Sequence, residues 1–402
     1  MAMVFISRAP FLTLCAMLAL LPLDRALAAD PVIKPAITGL ISTGTQPNTL
    51  AALNDVTGTV TPTNMIGIFG GLVVQARWKD FQPDNDTQLK TSVIDDILSG
   101  NSNTVVNNLT QYNNVTQYNA AAATMPAPNN RQLGVRLRIF TGCSGGDNDA
   151  PPWAMKTDKD KGFPITIEGE YDGKPEKCEL GNFWDPTSNY SKAWKRFLSR
   201  LARKYDANPL IREISVTSCT SFSAEPFFLN LKKPVYTPKY PAPDPALPFP
   251  AQGLHEAGFT DALYRECLTK AIDDYADWKT TRVEFSINGF SALAQQEDYA
   301  VSERIMRRCR LLAGPRCILS NHDLDTVTPA SILPIFVFER KFGPNLTFQT
   351  YHVVPPDFEG TLRKGISLGA SSIEVWQEAQ LGSFEHQSRE TLANWASMFE
   401  PH

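Results

Sequence analysis

An alternation of helices and strands fills the C-terminal half of the chain, and it limits the possible folds more than any other feature. Amphipathic segments with a helical period precede short runs of β-branched and apolar residues. The predicted helix–strand pairs are 259–278 with 283–287, 298–312 with 317–319, 330–342 with 346–350, and 358–368 with 372–376. Strands that alternate with helices form parallel sheets. With roughly eight predicted strands in all, an α/β fold of the (β/α)8 TIM-barrel type accounts for the pattern.

The N-terminal half shows the same pattern, interrupted by long insertions in the βα-loops. Its clearest elements are strands at 72–78 and 134–140, a hairpin near 164–171 and an amphipathic helix at 191–205. A stretch rich in Asn, Thr and Ala (101–130) is expected to be an insertion or an extended first helix. A proline-dense stretch (234–250) lacks a regular pattern. Proline cannot continue a helix or a central strand, so we expect the second stretch to be a long loop.

The first 28 residues have the pattern of a signal peptide. Arg8 precedes an apolar run from Phe11 to Leu23, and Ala26-Leu27-Ala28 resembles a small-residue cleavage site. The apolar run is short for a membrane span. We therefore expect a signal peptide (1–28), an extended N-terminal segment (29–63) and a barrel domain (64–402). The product is expected to be exported, periplasmic or extracellular, and free of the membrane after cleavage.

An exported chain favours disulfide bonds. Removing Cys15 from the seven cysteines leaves six, which allow fifteen pairings. Cys309 and Cys317 are close enough in sequence to pair across a helix end and the next strand, and Cys143 with Cys178 would close one long loop. Buried free thiols are the alternative.

Charge and residue spacing argue against several kinds of partner. A formal net charge of −4 gives no basic surface for nucleic acid or anionic lipid. No Cys/His spacing typical of a metal site occurs, so neither a metal nor another cofactor is expected.

Glu225 stands out among the acidic residues. The β-branched run from Ile214 passes into small polar residues and reaches Glu225 just before Pro226. In a (β/α)8 barrel, catalytic residues gather at the C-terminal ends of the strands. The alternative is a structural acid at a helix start or in a salt bridge.

Several segments together resemble clan A-type glycoside hydrolases, the β-galactosidase- and cellulase-like barrels. They are Gly70–Pro83, similar to the first strand of that clan; Leu133–Phe140 with Pro152-Trp153, similar to the second; Phe183–Pro186 and Lys204–Pro209, similar to the approach to the fourth; and Ala224-Glu225-Pro226. The last stands where that clan has Asn-Glu-Pro. The resemblance therefore implies that Glu225 is the general acid/base.

The resemblance also implies a second carboxylate at the end of strand seven, where this chain has Gln349. The last strand offers Glu374 and Glu378 instead. Period-two alternation places them on one face with Trp376, which resembles the clan's sugar-stacking tryptophan. We slightly favour Glu374 because it lies in the middle of the strand, and Glu378 stays as the alternative.

These features predict a secreted glycosidase, an enzyme that cleaves glycosidic bonds with paired carboxyl groups and has an oligo- or polysaccharide as its partner. A glycan-binding barrel without activity is the alternative. Aromatic rings and hydrogen-bonding groups at the strand ends suit sugar binding. The expected substrate-binding residues are Arg77, Trp78, Arg138, Trp153, Asn288, Asn321, His322, Gln349, Tyr351, His352 and Trp376.

Overall fold

The computed structural model describes most of the chain from residue 31 onward. The described residues are 31–43, 66–99, 114–144, 147–171, 174–220, 230–233, 254, 256–290, 298–376 and 387–399. The chain from Ile33 onward forms one compact unit.

Eight parallel strands close into a barrel, which confirms the predicted (β/α)8 fold. They are β1 (Gly39–Thr43), β2 (Gly71–Arg77), β3 (Gly134–Phe140), β4 (Ile211–Ser215), β5 (Arg282–Ser286), β6 (Cys317–Leu324), β7 (Leu346–Thr350) and β8 (Ala370–Trp376). The order around the barrel is β1-β8-β7-β6-β5-β4-β3-β2, with β2 paired to β1. In this register Gln75 lies beside Arg138, and Gln349 beside Glu374.

The helices surround the barrel. The longer ones in the described part of the chain are α1 (Ser92–Ser99), α2 (Val115–Ala122), α3 (Asn189–Tyr205), α4 (Asp261–Lys270), α5 (Tyr299–Ala313), α6 (Leu333–Lys341), α7 (Phe358–Ser367) and α8 (Arg389–Ser397). Short helices cover Trp78–Phe81 and Pro152–Met155. Helix α3 shows how sequence determines these elements. The Ser188 hydroxyl accepts from the Ser191 N–H at 2.9 Å and caps it, and its apolar face, including Trp194 and Phe197, is buried.

The segment before β1 closes the N-terminal end of the barrel. Lys34 Nζ donates to the Ile211 carbonyl at 2.7 Å and to Thr281 Oγ1 at 2.8 Å. The Ile37 N–H donates to Glu213 Oε1 at 2.8 Å. A Cβ at position 71 would lie 2.5 Å from the Ile37 side chain, so glycine is required there for Ile37 to enter.

The barrel begins earlier in the chain than the sequence analysis predicted. Strand β1 falls inside the segment expected to be an extended N-terminal region, so Gly70–Pro83 carries the second barrel strand and Leu133–Phe140 the third. The run Gly-Leu-Ile-Ser-Thr has only two strongly apolar residues, yet all five positions are buried. Its two edges pair with β8 and β2. The hairpin near 164–171 is confirmed, with Ile165–Tyr171 antiparallel to Lys174–Leu180.

Two disulfide bonds lie between described side chains. Cys309 pairs with Cys317 across eight residues, as predicted. Cys219 pairs with Cys267 and joins the segment after β4 to α4. Cys143 is also disulfide-bonded, and the side chain of Cys178 lies outside the described residues. Disulfides are typical of an oxidising compartment, in agreement with the predicted export.

Three further predictions fall on residues outside the described ranges: the signal peptide, the proline-dense stretch at 234–250, and the acids Glu225 and Glu378. Among the helices that the structure does describe, none has the length and apolar character needed to cross a membrane. The described part of the chain likewise contains no cluster of His, Cys, Asp and Glu residues able to hold a metal ion.

The buried carboxyl group of Glu339 in α6 lowers the stability of this fold. Its side chain is completely buried, and neither carboxyl oxygen has a hydrogen-bond partner in the described part of the chain. Burial raises its pKa well above the usual range, although the charges of His322 and Arg310 oppose the shift. Because Glu339 binds its proton more tightly in the folded protein than in the unfolded chain, it makes the protein less stable as the pH rises above the unfolded pKa of about 4.3.

We predict that Glu339→Met stabilises the protein at pH 7 by about 1–3 kcal/mol, the cost of a buried unsatisfied polar group. The gain is expected to be smaller at pH 4.5, where the unfolded glutamate also holds much of its proton. Urea unfolding at both pH values measures this difference. Glu359→Met, at an exposed position of α7, is the matched control and is expected to change the unfolding free energy little. A loss of stability in Glu339→Met would contradict the prediction.

Candidate functional site

Charged side chains fill the barrel lumen, where branched apolar residues are usual. Two arginines of β3, Arg136 and Arg138, face three glutamates, Glu213 of β4, Glu284 of β5 and Glu374 of β8. All five are at most 3% exposed. Alternation along each strand directs these side chains inward. Burying so many charges is costly unless they are paired and hydrogen-bonded, and Arg136, Arg138, Glu213 and Glu374 form such pairs with one another.

Arg138 and Glu374 form a two-pronged ion pair at the centre of this network. Arg138 donates through its two terminal nitrogens to Oε1 at 2.7 Å and to Oε2 at 2.8 Å. It also donates to Gln349 Oε1 at 3.2 Å. This geometry orients Glu374 and the Gln349 amide together at the ends of β7 and β8.

Arg136 links the same glutamate to β4. It donates to Glu374 Oε2 at 3.1 Å and to Glu213 Oε2 at 2.8 Å. Both oxygens of Glu374 are therefore occupied by guanidinium groups, and the residue has no exposed surface.

The arginines favour the ionised forms of Glu374 and Glu284. Burial alone would raise the pKa of Glu374, but the charge and hydrogen bonds of Arg138, followed by Arg136, outweigh burial and lower it. For Glu284 burial is likewise outweighed, by the charges of Arg136, Arg138 and His322, so its pKa is also lowered. His322 Nε2 lies 3.6 Å from Glu284 Oε1.

The rim of the barrel at the C-terminal ends of β5 to β8 carries most of the other predicted binding residues. The side-chain amides of Asn288 and Asn321 lie 2.6 Å apart. His352 Nε2 lies 3.5 Å from Asp325. Tyr351 is 60% exposed, and the Trp376 indole donates to the Thr350 carbonyl at 3.0 Å. The structure therefore brings Arg138, Gln349, His322, Glu374 and Trp376 together at or just below one rim.

Trp78, Trp153 and Arg77 have other surroundings. Trp78 is completely buried and packs edge-on against Trp194 with ring centroids 5.2 Å apart. Its position right after β2 suggested a sugar platform, but the short helix that begins there directs the ring into the core. The Trp153 indole donates to the Gln82 carbonyl. Arg77 pairs with Asp80 at 3.1 Å.

Comparisons with known proteins concern the fold. No protein-family model matches the chain, and no curated protein matches it. Solved structures similar to it include endo-glycoceramidase II from Rhodococcus sp. (12% identity, 90% of this chain and 80% of that chain, TM-score 0.45). Others are a glycoside hydrolase family 5 enzyme from Prevotella bryantii B14 (9%, 92% and 100%, TM-score 0.41) and a GH5-4 broad-specificity endoglucanase from an uncultured bacterium (11%, 93% and 97%, TM-score 0.43).

The identities and TM-scores of these neighbours are low, and the fold is established independently by the closed eight-stranded barrel described above.

Sequence reasoning missed three members of the lumen network, Arg136, Glu213 and Glu284. A signal for them exists. Arg-Leu-Arg in β3 places two arginines on one face of a strand that is otherwise apolar, and Glu213 and Glu284 each interrupt an apolar strand. Charges at alternating positions of buried strands indicate a polar lumen.

We predict that Arg136→Met destabilises the protein by about 3–5 kcal/mol, because Glu213 and Glu374 lose a buried cation. Chemical denaturation measures the change. Arg196→Met is the control, since Arg196 forms a surface pair with Asp86 and such pairs contribute at most about 1 kcal/mol. The double variant Arg136→Met/Glu213→Gln is expected to recover part of the loss. If Arg136→Met and Arg196→Met changed the unfolding free energy equally, the lumen network would be dispensable for stability.

Proposed function

We propose that this chain hydrolyses glycosidic bonds at the C-terminal mouth of the barrel, with Glu225 as general acid/base and a glutamate of the last strand or its continuation as the partner. The observation that carries the proposal is the group of Arg138, Glu374, Gln349 and Trp376 at the strand ends. It combines an ionised carboxylate, hydrogen-bonding groups and an aromatic ring in the part of a barrel where substrates bind.

Such a reaction needs two carboxyl groups with different protonation states. One protonates the leaving oxygen, and the other attacks the anomeric carbon or activates water. A separation of about 5–5.5 Å between them suits retention, and about 6.5–9.5 Å suits inversion. An ionised partner is favoured near the two arginines, because their positive charge lowers carboxyl pKa values.

Glu374 and Glu378 are suited to different roles beside the general acid/base. Glu374 has the required charge, but its two oxygens are held by Arg136 and Arg138 and it is fully buried. Glu378 comes two residues after the end of β8. We therefore propose Glu378 as the group that reaches the substrate and Glu374 as the buried anion that positions Arg138.

One observation favours a second candidate function, glycan binding without hydrolysis. Strand β7 ends with Gln349 where the resemblance implies a nucleophile, and its amide oxygen accepts a hydrogen bond from Arg138. An amide is a poor nucleophile but a good hydrogen-bonding group for sugar hydroxyls.

Purified protein assayed against polysaccharides and aryl glycosides tests the proposal. We predict that Glu225→Gln and Glu378→Gln each lower kcat/KM by at least about 10²-fold, the usual contribution of a general acid/base. For Glu374→Gln both kcat/KM and the unfolding free energy are measured, because this substitution also disturbs the ion pairs of the lumen. Glu359→Gln, on exposed α7, is the control with unchanged activity. Full activity in Glu225→Gln would overturn the assignment, and saturable binding without turnover would select the second candidate.

A further inference from the structure

A groove beside the C-terminal ends of β3 and β4 has the features of a second binding site. It lies between α3 and α4 with the 3-10 turn Ala271–Tyr275 that follows α4, and it encloses about 160 Å³. We call it the α3–α4 groove. Residues that the argument uses are Lys192, Lys195, Ser218 and Asp274, all of which line it.

Asp274 is the reactive group of this groove. It has no ion-pair contact within salt-bridge distance in the described part of the chain, and its one side-chain hydrogen bond comes from Ser218. Ser218 also accepts from the Trp194 indole at 2.7 Å. Burial raises the pKa of Asp274 to about 6, although Ser218 and Lys195 oppose the shift. A partly buried acid with a shifted pKa in a cleft is a candidate for function.

Two lysines give the groove a positive edge. Lys192 and Lys195 are three residues apart on α3, which places them on one side of the helix, and both are exposed. Neither forms an ion pair with a described residue. The charge of Lys195 also acts on Asp274.

The other charges that face Asp274 are already paired. Arg308 donates to both oxygens of Asp273, at 2.6 and 3.2 Å, and Lys270 donates to Glu266 at 2.6 Å. The unpaired charges in the groove are thus the two lysines and, at higher pH, Asp274 itself.

The floor of the groove is held rigidly. Cys219 and Cys267, both buried, join the segment after β4 to α4 through their disulfide. Cys219 has a φ of 67°, a left-handed conformation that is uncommon for residues other than glycine. Backbone conformations of this kind occur most often where a structure positions groups for function.

We propose that the α3–α4 groove binds a small carboxylate-bearing molecule, with Lys192 and Lys195 holding the carboxylate and Asp274 donating a hydrogen bond to it. Two sources have this chemistry, a simple carboxylic acid and an acidic sugar such as a uronic acid. The site does not depend on the hydrolytic activity proposed for the mouth.

Calorimetric titration of the full chain with glucuronate, acetate and glucose at pH 5 and pH 7.5 tests this site. We expect glucuronate to bind at pH 5 and to lose roughly tenfold in affinity at pH 7.5, because ionised Asp274 repels the anion. If acetate bound as tightly as glucuronate, the groove would still be a carboxylate site, and its ligand would be a simple carboxylic acid. Glucose binding as tightly as glucuronate would overturn the proposal.

Three variants locate the binding. Lys192→Met/Lys195→Met is expected to lower glucuronate affinity at pH 5 at least tenfold, whereas Arg196→Met, on the same helix but paired with Asp86, is expected to leave it within twofold. Asp274→Asn keeps a hydrogen-bond donor without the charge, so its affinity is expected to be the same at both pH values. Unchanged affinity in the double lysine variant, or an unchanged pH dependence in Asp274→Asn, would place the binding elsewhere and overturn the proposal.

Discussion

The ion pair between Arg138 and Glu374, extended through Arg136 to Glu213, is the interaction on which the rest of the barrel depends. It ties β3 to β8 and to β4, and it crosses the lumen in place of apolar packing. Buried ions are tolerated only when partners surround them, since each one alone costs several kcal/mol. Each strand that contributes a charge must therefore keep that side chain in the lumen.

This requirement gives the network a part in specifying the fold. A shift of β3 by one residue would turn Arg136 and Arg138 outward and leave three glutamates unpaired inside the barrel. An apolar lumen would penalise the same slip less, because Val and Ile can pack on either face of a buried strand. We infer that the charges contribute more to the choice of register than to net stability, since hydrophobic replacements of buried ion pairs are often neutral or stabilising.

How far the sequence predicts this molecule differs between the fold and the site. Helix–strand alternation was sufficient for the barrel, since most strands have a clear apolar pattern. Strand β1 was missed because its five residues resemble the loop around them, and it is the pairing with β2 and β8 that makes them a strand. Trp78 was wrongly expected at the mouth, because the direction of a side chain after a strand end depends on the turn that follows. Glu284 and Glu213 gave a signal only in relation to the arginines opposite them.

The lumen charges also restrict which acid can do which task. A carboxyl group close to Arg138 stays ionised, so it is suited to attack or to stabilise positive charge, and unsuited to donate a proton. A general acid needs the opposite environment, with burial or a neighbouring anion and without a guanidinium contact. Glu374 meets the first condition in full. A general acid at this mouth therefore has to lie away from the guanidinium groups, and the two arginines would separate the pKa values of an acid and its ionised partner.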